Sequence, residues 1–157
     1  MKAVYWDTSC VLALYLPEQI SSQASELAST LKGPILSSAI LKFEMTFAIH
    51  AKESRGEIPT GSSGRVLSQF QTDIQSGRFL LVPLGSDIKS TAIEIASKIL
   101  LIAPPVFLRT LDGIHIATAL KLGSPELITA DKKMADSSTL LGLKTRLLKK
   151  LATVKNM

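Results

Sequence analysis

A chain of 157 residues with 46% hydrophobic content suits one domain that buries its own core, and it excludes a disordered polypeptide. The lone cysteine, Cys10, rules out an internal disulfide and any cysteine-based zinc cluster. A formal net charge of +5 and a pI near 9.4 favour a polyanionic partner such as nucleic acid without requiring one.

The start, from Met1 to Asp7, is interrupted by charge too early for a signal peptide. The longest apolar run, Ile99 to Leu108, is too short to span a bilayer and is broken by Pro104-Pro105. The expectation is a soluble, cytoplasmic protein. In chain order, Ala3 to Trp6 reads as a strand, followed by a helix through Val11, Leu12 and Tyr15 that stops near Pro17. A helix follows from about Ser21 to Leu31, then a strand over Pro34 to Ser37 and a helix from about Ala39 to Arg55. The stretch Gly56 to Gly64 is the most loop-like in the chain and reads as a hinge between helices. Helix resumes over Val66 to Ile74, strand over Arg78 to Val82, and helix over Asp87 to Ile102, closed by Pro104-Pro105. The remainder reads as helix Leu111 to Leu122, strand Leu127 to Ala130, helix Lys132 to Leu140 and an edge strand within Leu143 to Leu148. A short Lys-rich tail ends a single domain over residues 1–157. Strands separated by helices need crossover connections, so the sheet is expected to be mainly parallel with helices on both faces.

Four carboxylates stand out against this pattern. Asp7 closes the run Ala3-Val4-Tyr5-Trp6, and Asp131 closes Leu127-Ile128-Thr129-Ala130. If those runs are neighbouring parallel strands, both acids emerge at carboxyl ends, where open α/β sheets place ligands. On a helical wheel Glu44 falls between Ala48 and Leu41 on one side and Ala51, Ile40 and Phe47 on the other, inside the stripe that faces the sheet. A buried carboxylate is costly unless it is paired or bound to a cation, so the alternative is a Lys or Arg at the core rim. Asp112 lies near the first turn of its helix. Asp7, Asp112 and Asp131 each have a helix-capping reading beside a ligand reading, and both stay open for each taken singly. Together with Glu44 they converge on one sheet edge. Carboxylates gathered in one cleft repel each other unless a cation sits between them, which points to a divalent metal and phosphoryl chemistry.

The neighbours are less telling. His115 shares a helix face with Asp112 at i+3 and reads as a satisfied structural side chain rather than a proton shuttle. Cys10 reads as a small buried hydrophobe. Arg109, Lys132 and Lys133 flank the acids and are candidate phosphate contacts, with plain solvated surface as the alternative. Asp136 is rotated off the face of Asp131.

The set Asp7-Thr8-Ser9, Glu44 within a helix, Asp112-Gly113-Ile114-His115-Ile116-Ala117-Thr118-Ala119-Leu120 and Leu127-Ile128-Thr129-Ala130-Asp131-Lys132-Lys133-Met134 resembles the PIN-domain nucleases. Within them it is most similar to the VapC-type toxins of prokaryotic toxin–antitoxin pairs, from Val4 to about Leu148. The resemblance implies a three-layer α/β/α fold around a mainly parallel sheet and a Mg²⁺- or Mn²⁺-dependent endoribonuclease that uses water as nucleophile. Asp7, Glu44, Asp112 and Asp131 match the family's acidic quartet, with Asp7, Asp112 and Asp131 as metal ligands. Ser9 and Thr129 match supporting hydroxyls. Gly113 stands where the family usually has Ala, and Ala135-Asp136 stands where Ala-Ala often follows the last acid. The implied partners are RNA, a second copy of the chain in a homodimer, and a small antitoxin. That antitoxin is expected on apolar surface of the helices around Tyr15 to Leu31 and Ala39 to Arg55, with a basic side chain reaching the quartet. A haloacid-dehalogenase phosphatase needs an acid where Ser9 stands, and a receiver domain needs clustered acids after the first strand, so both fit poorly. A DNA-directed nuclease and a non-cleaving PIN scaffold that binds nucleic acid or protein remain the alternatives, because nothing in the sequence reads a 2′-hydroxyl.

Overall fold

The computed structural model describes residues 3–102 and 106–149. The expected helix stop at Pro104-Pro105 and most of the Lys-rich tail lie outside the described residues. Five strands, β1 (Tyr5–Trp6), β2 (Ile35–Ser38), β3 (Phe79–Val82), β4 (Leu127–Thr129) and β5 (Thr145–Leu147), form one sheet in the order β3-β2-β1-β4-β5. Every pairing is parallel. The helices are α1 (Thr8–Leu12), α2 (Ser21–Thr30), α3 (Leu41–Ser54), α4 (Ser63–Gln75), α5 (Ser86–Leu100), α6 (Thr110–Lys121) and α7 (Lys132–Leu140).

Side-chain alternation along the strands divides the core into two. Trp6 and Ile128 point with Ile35 and Phe79 into a cluster built with α1 to α4, while Tyr5, Leu127 and Leu36 point into one built with α5 to α7. That is the expected three-layer α/β/α arrangement, with β1 buried on both faces. Leu127 and Ile128 have no exposed surface, and their burial stabilises the fold by on the order of 2 kcal/mol each. Strand order runs outward from β1 in both directions, so the chain reverses its winding between β1 and β4. The carboxyl ends on either side of that switch are where such sheets leave a crevice. Among the described residues no helix is long and apolar enough to cross a membrane.

Two local expectations need correction. Helix α4 begins at Ser63, three residues before the expected Val66, because Glu53 at the end of α3 accepts the Gly61 and Ser63 backbone N–H groups and organises a glycine- and serine-rich segment into a first turn. The Ser63 hydroxyl, together with these backbone bonds, holds the Glu53 carboxyl down at about 2. On α3 the fully buried positions are Leu41, Met45 and Ile49, while Phe47 is 77% exposed. The wheel counted every apolar residue as inward. Glu44 therefore sits at the margin of the buried stripe and not inside it.

A polar cluster on the α4 side of the sheet sets one stability prediction. Asp73 on α4 accepts from the Tyr15 hydroxyl (2.5 Å), Arg78 Nη1 (2.9 Å) and Gln69 Nε2 (2.9 Å). Burial pushes this carboxyl up, but the three donors outweigh it and hold it below the usual aspartate range. A depressed folded-state value contributes stability above the unfolded-state value, lost as pH falls through the folded one. Asp73→Asn is expected to cost about 2 kcal/mol at neutral pH. In thermal melts its deficit against the unmodified chain should shrink as pH drops through the acid range.

Candidate active site

Helices α1, α3 and α7 follow parallel strands and run back antiparallel to them, and α6, which leads into β4, has its start tied to Asp131 through Arg109, so all four first turns gather at the carboxyl edge of the sheet. Each of the four acids sits at one of these helix starts. Asp7 follows β1 directly and caps α1, its Oδ1 accepting from Cys10 N (3.2 Å) and Ser9 Oγ (2.7 Å). Asp131 follows β4 after Ala130 and caps α7, its Oδ1 accepting from Lys133 N (2.8 Å) and Met134 N (3.2 Å). Asp112 lies in the first turn of α6 and Glu44 in that of α3. For Asp7 and Asp131 the capping reading and the cleft reading hold together, since a cap uses only part of a carboxylate.

The β1–β4 register matches Tyr5 with Leu127 and Trp6 with Ile128, which places Thr129 beside Asp7. Thr129 Oγ1 donates to Asp7 Oδ2 (2.6 Å) and accepts from Asp131 N (3.0 Å). Ser9 Oγ, besides donating to Asp7, accepts from Ala130 N (3.0 Å). The two hydroxyls thus lock the acid after β1 to the backbone that carries the acid after β4. Asp7 is 4% exposed. Burial pushes its carboxyl up, and the Thr129, Ser9 and Cys10 donors only partly offset this. A carboxylate in that state gains from any cation brought near it.

Arg109, immediately before α6, donates from Nε to Asp112 Oδ2 and from Nη2 to Asp131 Oδ2, each at 2.8 Å. The guanidinium was expected at a phosphate. In this arrangement it bridges two acids, and its side chain is 61% exposed. Lys132 pairs with Asp136 on the outer face of α7. Lys132 and Lys133 also line, with Arg109, Asp112 and Asp131, a cleft of about 330 Å³. A wider cleft of about 620 Å³ lies on the other side of Asp131, against Ser9 and Lys52.

Glu44 closes the ring of acids. Its Oε1 accepts from Thr8 Oγ1 (2.7 Å) and meets His115 Nε2 (2.5 Å). Burial pushes the Glu44 carboxyl up, but the His115 hydrogen bond, the Thr8 hydroxyl and the Arg109 guanidinium outweigh it and hold it below the usual glutamate range. Thr8 adjoins Asp7, and His115 lies one turn after Asp112, so bonds or single turns connect all four acids. The alternative to a metal-site role for Glu44 was a Lys or Arg at the core rim; the partner found is a histidine that is itself 2% exposed. Thr8 carried no sequence signal, whereas the i+3 spacing of His115 from Asp112 did. Cys10 is buried beside the site, and its thiol is pushed well up by burial, so it offers no nucleophile.

Among the described residues no three acids or histidines close into a ready-made cage. Yet the groups at the edge are carboxylate and hydroxyl oxygens, the hard donors that Mg²⁺ and Mn²⁺ take, and Mg²⁺ keeps several waters and binds one or two carboxylates directly. The position between Asp112 and Asp131 already holds a positive charge, supplied by Arg109. The residues fit a hydrated divalent ion.

A PIN domain family model matches residues 4–138 of the chain. Ribonuclease VapC46 of Mycobacterium tuberculosis is 31% identical over 146 residues, spanning 91% of this chain and 95% of that protein. Among solved structures, the Mycobacterium tuberculosis toxin VapC20, described as cleaving the sarcin–ricin loop, superposes with a TM-score of 0.68 at 13% identity, covering 90% of this chain and 96% of that one. A toxin–antitoxin complex from Klebsiella pneumoniae gives a TM-score of 0.57 at 21% identity, covering 85% and 91% of the two chains. At these identities the two structures speak for the fold.

Proposed function

We propose that this chain, which belongs to the PIN-domain family, is a VapC-type ribonuclease, the toxin of a toxin–antitoxin pair, and that it cleaves RNA with Mg²⁺ or Mn²⁺. The observation that carries this reading is the run of contacts at the carboxyl edge of the sheet: Arg109 joins Asp112 to Asp131, Thr129 joins Asp7 to the backbone of Asp131, and His115, one turn after Asp112, meets Glu44. Asp7, Asp112 and Asp131 are the residues to hold the ion. Bound there, it supplies activation of a water for attack on phosphorus and neutralisation of charge on the leaving oxygen.

The chain's own groups do the rest. Ser9 and Thr129 fix the Asp7 carboxylate against the backbone before Asp131. Glu44, ionised at neutral pH and anchored through Oε1, offers Oε2 as the acceptor for a proton of the attacking water. Lys132 and Lys133 on the rim of the narrower cleft draw in the phosphodiester. A dication held by Asp112 and Asp131 would compete with the Arg109 guanidinium for the same oxygens.

The partner is a small antitoxin, with the toxin itself a homodimer. Phe43 and Phe47, one turn apart on α3, are 67% and 77% exposed, and they offer the apolar surface such a partner covers. The place Arg109 occupies shows how a guanidinium is received at these acids, as an inhibitory partner's basic side chain requires.

Induced expression of the chain alone is expected to arrest growth of a bacterial host, and Glu44→Gln at the same soluble level is expected to leave growth intact. Equal harmlessness of the two in the native host would remove the toxin assignment.

A further inference from the structure

Tyr5 lies in the central strand with no exposed surface, and its hydroxyl makes two hydrogen bonds. It accepts from Ser38 N (3.1 Å) and meets His115 Nδ1 at 2.6 Å. A phenol is protonated at neutral pH, so the hydroxyl has a hydrogen to donate. Ser38 N takes one lone pair of that oxygen, and the close approach to Nδ1 suits a hydroxyl hydrogen donated to a bare ring nitrogen. Nδ1 then carries the lone pair, and Nε2 carries the ring hydrogen. At the other end of the ring Nε2 faces Glu44 Oε1 at 2.5 Å, where a lone pair against a carboxylate would be repulsive and an N–H is attractive. Both ends select the same tautomer.

We infer that Tyr5 and His115 are positioning residues for Glu44: the buried tyrosine fixes His115 as the tautomer that donates from Nε2, and that bond, with Thr8, pins Oε1 so that Oε2 stays turned to the reacting water. Among the described residues Glu44 Oε2 has no hydrogen-bond partner, as a group reserved for water requires. Without the Tyr5 hydroxyl the ring can move its hydrogen to Nδ1, and the carboxylate then loses one of its two anchors. The same dependence of a functional side chain on the group behind it holds where histidines are oriented through their second nitrogen.

The inference rests on the proposed nuclease reading, and its test separates the two. The chain has two histidines, of which His50 is exposed, so the ring nitrogens of His115 are identifiable by ¹⁵N-resolved NMR of the full chain. The expected result is an Nε2-protonated, Nδ1-bare ring in the unmodified chain and a mixture of tautomers in Tyr5→Phe. An Nδ1-protonated ring in the unmodified chain would overturn the inference whatever the activity. For RNA cleavage, Tyr5→Phe is expected to lower kcat about tenfold with KM little changed. His115→Gln can donate an amide hydrogen to Oε1 without any tautomer to fix, so adding Tyr5→Phe to it should cost nothing further. An equal loss from Tyr5→Phe in both backgrounds would make the tyrosine merely structural and overturn the inference. Full cleavage by Glu44→Gln, with the tautomer as expected, would instead remove Glu44 from the reaction.

Discussion

Asp7→Asn is expected to fold as the unmodified chain does and to cleave RNA on the order of a thousandfold more slowly. The side chain keeps its shape, and its carbonyl oxygen can still accept from Cys10 N and Ser9 Oγ. Its amide then faces Thr129 Oγ1, which has a free lone pair once its own hydrogen turns away. Replacing a carboxylate that burial keeps reluctant to ionise by a neutral isostere also removes a desolvation cost, so the melting temperature in EDTA should not fall far. What the amide lacks is charge. Stabilisation of a phosphoryl transition state by a held cation is worth several kcal/mol, and about 4 kcal/mol is a factor of a thousand. A folded Asp7→Asn chain, checked by melting and cleaving a fluorescent RNA at the original rate, would remove Asp7 from the mechanism.

Much of this architecture is legible in the sequence because each strand ends on something its neighbour must match. The runs before Asp7 and Asp131 are continuous and apolar, so they belong at the centre of a parallel sheet, and there they pair directly. Once they pair, Thr129 and Ser9 have to meet Asp7. Less legible are bonds whose two ends are set by packing between distant helices. Glu44 and His115 are 71 residues apart, and nothing local in either helix names the other. Sequence alone could not separate cap from ligand for Asp7 and Asp131, because a carboxylate that caps a helix keeps lone pairs beyond those the cap uses. Phe47 was placed inward because a wheel ranks residues by character alone, whereas burial on α3 follows the contact of Leu41, Met45 and Ile49 with the sheet. Arg109 was legible as a cation beside acids, but not which acids it would bridge.

The proposed activity requires that Asp7, Asp112 and Asp131 hold a divalent ion, which would activate solvent water for attack on the phosphodiester, with Glu44 accepting its proton. Metal removal is therefore expected to have an effect as large as any substitution. On the proposed mechanism EDTA would take away the charge that activates water and would leave Asp112 and Asp131 to Arg109. Among the described residues, Cys10 is buried and His115 is committed between Tyr5 and Glu44, so neither offers a nucleophile in place of water. The decisive measurement is cleavage of a labelled single-stranded RNA in oxygen-18 water, by the purified chain in EDTA and after addition of Mg²⁺ or Mn²⁺. The account predicts no cleavage in EDTA, restoration by either ion, and product ends whose phosphate carries one solvent oxygen. Cleavage that persists in EDTA, or ends bearing a 2′,3′-cyclic phosphate from attack by the RNA's own hydroxyl, would contradict it.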